Sequence, residues 1–160
     1  MLKEGDRIPA VTLKQMTGAG PTDVALSEYC AGRKVVIFAL PGAFTPTCSE
    51  SHVPSYIDNA KALKDKGVEA VACISTADFF VMSAWGKSMG TGDHVDMLAD
   101  GNSEFTRAAG MTLDLSALGL GERSQRYVMV LEDGVITHLA MESDPGSATV
   151  SAAEAVLEKL

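Results

Sequence analysis

Lys34-Val35-Val36-Ile37-Phe38-Ala39-Leu40 runs directly into Pro41-Gly42-Ala43-Phe44-Thr45-Pro46-Thr47-Cys48, and then into Ser49-Glu50-Ser51-His52-Val53-Pro54-Ser55-Tyr56. The unbroken apolar run after Lys34 is too short for a helix and predicts a strand buried on both faces. The third segment reads as a helix opening: Thr45 is a good N-cap, and Pro46 suits the first helical position. Cys48 therefore falls in the first turn of a helix that follows a central strand. Amide N–H groups there have no intrahelical partner and carry partial positive charge. A thiolate placed among them is stabilised, which predicts a reactive sulfur at the mouth of a helix.

Outward from this segment, the chain alternates strands and helices. Residues 8–13 read as an edge strand, where Pro9 is tolerated. Residues 17–21 form a turn, and residues 27–32 a short helix closed by Gly32. The helix from Pro46 is expected to run to Lys66, with Gly67 as its stop and a kink at Pro54. Residues 68–75 and 95–100 read as further buried strands, and residues 78–89 and 102–109 as helices. Residues 126–131 and 135–140 flank Glu132-Asp133-Gly134, a hairpin signal. Residues 151–160 close the chain as a helix. This order predicts a single α/β domain over residues 1–160, with a mixed central β-sheet flanked by helices on both faces.

Bulk properties narrow the function. A chain of 160 residues is long enough for a substantial core. A net charge of −8 argues against nucleic-acid or anionic-membrane partners, which need a basic patch. No run approaches the ~18 apolar residues of a membrane span. The first residues show no apolar export signal, and three irregularly spaced cysteines do not resemble a disulfide scaffold. A reducing, cytoplasmic setting is expected. The three histidines, 52, 94 and 138, are too scattered to predict a metal site.

The chemistry centres on Cys48. Helix-end amides contribute about 0.3–1 kcal/mol when exposed and up to ~2 kcal/mol when partly buried. That is too little to ionise most of an ordinary thiol at neutral pH, so a cation is expected nearby. Arg123 and Arg126 close the loop Gly121-Glu122-Arg123-Ser124-Gln125-Arg126 before a late strand, and a planar guanidinium suits both a thiolate and an incoming oxygen. The Thr45 hydroxyl either caps the helix or touches a substrate oxygen. Pro41 and Pro46 stiffen the loop and screen the sulfur. A peroxide fits such a pocket, because attack on one oxygen drives negative charge onto the other, where fixed N–H groups stabilise it. The product is Cys–SOH, which a second thiol condenses with. His52 shares a helix face with Cys48, but no third partner supports a protease dyad, and it reads as structural. Cys73, in an apolar strand, and Cys30 read first as packing. Met82 and Trp85 read as a core stripe.

The octapeptide from Pro41 to Cys48, followed by Ser49, His52, Val53 and Pro54, resembles the peroxiredoxin active site. It is most similar to the atypical group that includes plant type II and mammalian peroxiredoxin 5 proteins. Ala72-Cys73-Ile74-Ser75, Trp85-Gly86, Leu98-Ala99-Asp100-Gly101, Leu118-Gly119-Leu120-Gly121 and Arg126-Tyr127 extend the resemblance over nearly the whole chain. It implies a thioredoxin-like fold and thiol-dependent reduction of hydrogen peroxide and alkyl hydroperoxides, without a metal or bound organic cofactor. It also implies a homodimer and an external thiol reductant: glutathione, glutaredoxin or thioredoxin. Carried over by position, Cys48 is the peroxidatic cysteine, Thr45 contacts peroxide, Pro41 shields the site and Arg126 is the catalytic arginine, with Arg123 the lesser candidate. Residues 144–151 lack the resolving cysteine of the mammalian-like members. Cys73, 25 residues after Cys48 as in the plant pattern, is the possible resolving cysteine. A bridge between two rigid buried elements would need local unwinding, so an external thiol is the favoured second substrate.

Two other readings stay open from the residues alone. One is a redox-sensing or partner-binding module that uses Cys48 as a switch without turnover. The other, a disulfide oxidoreductase, lacks the expected Cys-X-X-Cys.

Overall fold

The alternation along the Lys34 segment is what builds the molecule's two cores. In a computed structural model describing residues 1–160, strand β3 (Lys34–Ala39) sends Val36 and Phe38 into one core, together with the following Leu40. It sends Val35, Ile37 and Ala39 into the other. All six are fully buried, which requires cover on both faces of the sheet. The remaining elements are β1 (Thr12–Thr17), β2 (Gly20–Ala25), α1 (Leu26–Cys30), a π-helical turn (Cys48–His52), α2 (Val53–Asp58) and α3 (Ala60–Asp65). Then follow β4 (Ala70–Ser75), α4 (Phe79–Met89), β5 (Asp96–Ala99), α5 (Glu104–Ala108), β6 (Thr112–Asp114) and β7 (Glu122–Ser124). The chain ends with β8 (Tyr127–Glu132), β9 (Val135–Met141) and α6 (Ala153–Leu157).

Seven strands form one mixed sheet in the order β2-β1-β5-β4-β3-β8-β9. β3, β4 and β5 run parallel, while β8 pairs antiparallel with β3 in the register Ala39↔Tyr127. Side chains from α2, α3, α4 and α6 cover one face, and side chains from α1 and α5 the other. This is the mixed, doubly covered α/β architecture expected. The hairpin at residues 132–134 is present: Asp133 and Gly134 both have positive φ, as a two-residue turn of this hand requires. No helix is long and apolar enough to cross a membrane.

Two local expectations are corrected, and two short strands escape the sequence reading. The N-terminal strand lies at residues 12–17 rather than 8–13 and is not at the edge, because the turn after it returns the chain as β2, which carries Pro21 and forms the border. β6 and β7 are strands of three residues, too short and too exposed to show a periodicity. Most important for the site, the helix predicted over residues 46–66 is not merely kinked at Pro54, as expected, but broken into three pieces. Pro54 has no N–H to give to the carbonyl four residues back. The chain widens just before it, and the Val53 amide donates instead to the Cys48 carbonyl, five residues back. A second break follows at Asn59, whose side-chain amide donates to the Ser55 carbonyl at 2.8 Å.

Candidate active site

Cys48 opens the π-helical turn at the end of the loop leaving β3. The Thr45 carbonyl accepts from the Ser49 amide at 3.0 Å, so Thr45 is the N-cap by its backbone. Its hydroxyl does not cap; it turns back and donates to the Gly42 carbonyl at 2.7 Å. With that proton engaged, Thr45 Oγ1 presents only lone pairs to a ligand. The amides of Thr47 and Cys48 donate to no protein atom, leaving two free N–H groups in the turn that carries the sulfur.

Across from them lies Arg126, immediately before β8 and only 2% exposed. Its Nη2 donates to Cys48 Sγ at 3.1 Å, its Nη1 to His52 Nδ1 at 2.9 Å and its Nε to the Pro145 carbonyl at 2.9 Å. No carboxylate lies within ion-pair distance of this guanidinium. A buried cation without an anion is costly, and the sulfur is the group placed to supply the charge. Arg123 does not reach Cys48. It donates from Nη1 to the Pro41 carbonyl at 3.2 Å and from Nε to the Leu120 carbonyl at 2.8 Å, tying the active-site loop to the segment before β7. The loop therefore brings Pro41, Thr45 and Cys48 together, with Arg126 at the sulfur and Arg123 at the rim.

The sulfur stands in the first turn after the N-cap, at the mouth of the helix as the sequence predicts, and it is screened from solvent completely. Cys48 is fully buried, packed in the core that includes Phe38, Leu40 and Val53. The loop over it carries Phe44 at φ 62, a backbone region bulky residues avoid. Phe44 itself is more than half exposed, so the cover is thin on that side. Ser49, next to Cys48, accepts from Trp85 Nε1 at 3.0 Å, and Trp85 and Met82 are the buried stripe of α4 that their spacing predicts.

His52 and the C-terminal segment form a layer behind Arg126 that local sequence does not reveal. His52 Nε2 lies 3.1 Å from the Ser151 carbonyl, which also accepts from Tyr56 Oη at 2.6 Å. Burial first, and the Arg126 charge second, push the His52 pKa down to about 3. The Glu142 carboxylate accepts from the amide and hydroxyl of both Thr149 and Ser151. Burial opposes its charge, but these bonds prevail and hold it below the usual carboxylate range. The contacts of His52 and Tyr56 with Ser151 span 99 and 95 residues of sequence, and a glutamate at a strand end or a serine in a loop gives no local sign of this layer.

All three cysteines are free and buried. Cys73 shares the core of Cys48, and burial, followed by the neighbouring Cys48 charge, pushes its thiol well above the ordinary range. Cys30 lies in the opposite core, its pKa raised to about 11 by burial.

The chain is matched over residues 3–157 by the Redoxin family model. Peroxiredoxin-2E-2, chloroplastic, of Oryza sativa subsp. japonica is 48% identical over 161 residues, covering 98% of this chain and 71% of that protein. Reduced Prx3 from Vibrio vulnificus, solved in complex with hydrogen peroxide, superposes with a TM-score of 0.94 at 46% identity, covering 99% of each chain. Peroxiredoxin 5 from Alvinella pompejana superposes with a TM-score of 0.85 at 34% identity, covering 99% of this chain and 97% of that one.

Proposed function

The chain belongs to the Redoxin family, as a thiol peroxidase with the thioredoxin-like fold of type II and peroxiredoxin-5-like proteins, and we propose that it reduces hydrogen peroxide and small alkyl hydroperoxides at Cys48. The observation that carries this reading is the 3.1 Å contact from Arg126 Nη2 to Cys48 Sγ in a buried setting without a competing carboxylate. The thiolate attacks one peroxide oxygen, the S–O bond forms as the O–O bond breaks, and the protein is left as Cys48–SOH. The departing hydroxide or alkoxide takes a proton from solvent. Its developing charge meets Arg126 and the free amides of Thr47 and Cys48, donors already fixed before reaction. Thr45 Oγ1, whose proton is held by Gly42, accepts from the peroxide O–H and orients it. Pro41 lends its carbonyl to Arg123, which keeps the loop over the site. Because the sulfur is covered, entry requires the loop of residues 41–47 to yield around Phe44.

Recycling falls to an external thiol, with glutathione and glutaredoxin preferred over thioredoxin. Glutathione condenses with Cys48–SOH, releasing water and leaving a mixed disulfide, which a second thiol reduces. The protonated, fully buried Cys73 is a poor resolving nucleophile in this arrangement. These donors belong to a reducing compartment, and a cytoplasmic location is part of the proposal. So is a homodimer through the active-site face, where Phe44, Leu118 and Leu120 are exposed beside the Arg123 tie. No metal or bound cofactor enters the scheme. The test is a donor panel on wild-type and Cys73→Ser protein with one hydroperoxide. Glutaredoxin-supported turnover is expected in both; loss of turnover in Cys73→Ser, with a Cys48–Cys73 disulfide in the oxidised wild type, contradicts the proposed route.

A further inference from the structure

Arg126 has five N–H donors. Three are engaged, by Pro145, His52 and Cys48. The two that remain, one on each terminal nitrogen, are those an incoming oxygen can meet. The guanidinium plane, and with it the direction of those two donors, is fixed by the partners on its far side. Pro145 O holds Nε, and His52 Nδ1 holds Nη1. His52 is in turn fixed by chemistry. Arginine only donates, so Nδ1 must be the unprotonated nitrogen; a carbonyl only accepts, so the proton is on Nε2 and points to Ser151 O. The imidazole is therefore neutral, in one tautomer and one orientation. It is fully buried and leans on Phe38, with ring centroids 4.8 Å apart. The Ser151 carbonyl is steadied in the same way, because Glu142 holds both the amide and the hydroxyl of that residue.

An acceptor for a buried arginine is usually sought among carboxylates, which bind it most strongly. Here the nearby Glu142 is occupied by Thr149 and Ser151, and a neutral ring takes the contact instead. A carboxylate in the ring's place would position Arg126 equally well. It would also neutralise the charge that faces the sulfur and the departing oxygen.

We propose that His52 is a positioning residue for peroxide reduction: a neutral acceptor that orients Arg126 while leaving its full positive charge directed at Cys48. The proposal rests on the thiol-peroxidase reading of Cys48 and Arg126. It separates two properties that isosteric substitutions can test. Asn keeps a neutral acceptor near the Nδ1 position, Asp places a charged acceptor of the same shape there, and Leu fills the space with no acceptor.

The experiment measures the second-order rate of Cys48 oxidation by hydrogen peroxide, together with the thermal midpoint, in wild type and in His52→Asn, His52→Asp and His52→Leu, with Cys48→Ser as control. The expected result is that His52→Asn stays within about fivefold of wild type, while His52→Asp and His52→Leu fall at least about tenfold below His52→Asn. His52→Asp should do so without a lower midpoint than His52→Asn, since it gains an ion pair. A purely structural histidine predicts that Asn and Asp behave alike, or that rates follow midpoints; either outcome overturns the proposal. If His52→Asp does not fold, the contrast of His52→Asn with His52→Leu decides alone, and equal rates refute it. A wild type that fails to consume peroxide, or a Cys48→Ser that succeeds, would instead defeat the underlying reading of the site.

Discussion

The Thr45 hydroxyl has one proton and two lone pairs, and the Gly42 carbonyl takes the proton. That single bond turns an ambiguous side chain into a dedicated acceptor on the loop that carries the sulfur. Thr45→Val, nearly isosteric, removes the acceptor, and its loss from a charge-developing reaction is expected to cost about 1.5–3 kcal/mol of transition-state stabilisation, roughly ten- to a hundredfold in peroxide rate. Thr45→Ser should retain most of the rate, and stopped-flow oxidation of the two variants tests this; equal rates would remove Thr45 from the chemistry. At this scale the local sequence is informative. Thr45 and Cys48 stand three residues apart on one loop, and Arg126 is marked by its place before a buried strand. His52 is visible beside Cys48 in the sequence, but its contact with Arg126 depends on a residue 74 positions away. Ser151 and Glu142 carry no local mark at all.

The π-helical turn is the element that makes the site possible. It follows from Pro54, and it places both Cys48 and His52 against Arg126. The segment from Glu142 to Ser151 then closes the back: Thr47 donates to the Gly146 carbonyl at 2.8 Å, Arg126 to Pro145, and Tyr56 and His52 to Ser151. Sequence patterning captures the regular elements, since β3, β4, β8 and α4 show their periods openly. It marks the irregularity at Pro54 but not its π-helical form, and it fails where asparagine breaks the helix and where three-residue strands pair. The His52 contact makes this packing acid-sensitive. Its pKa near 3 lies below the value of ~6.5 for an unfolded histidine. Between those values the unfolded chain binds a proton that the folded chain refuses, so stability falls as pH drops through this window, by up to about 1.4 kcal/mol per pH unit. Glu142, held below its usual range, adds a loss of the same sign at lower pH. Urea unfolding between pH 6.5 and 5 should show a shallower loss in His52→Leu than in wild type; His138 titrates in both and cancels. Identical slopes would contradict the buried, neutral assignment.

Across the whole molecule, a sheet covered on both faces holds the β3 terminus rigid, and the late strand β8, antiparallel beside it, brings Arg126 to the loop that β3 feeds. The α/β class and the mixed sheet are legible from the order of segments. The depth of the sulfur is not, because it depends on how the Phe44 loop and the C-terminal segment close over it. All three cysteines are equally buried, and the Arg126 contact is what separates Cys48 from its two rivals, since Cys30 and Cys73 have raised thiol pKa values and no cation donating to them. One sulfur should therefore react far ahead of the others. Reduced protein mixed with one equivalent of hydrogen peroxide, trapped with a sulfenic-acid reagent and mapped by peptide mass spectrometry, tests this directly. The account predicts a single adduct, on Cys48, and no peroxide loss beyond background in Cys48→Ser. Adducts that appear first on Cys30 or Cys73, or undiminished consumption by Cys48→Ser, would contradict it.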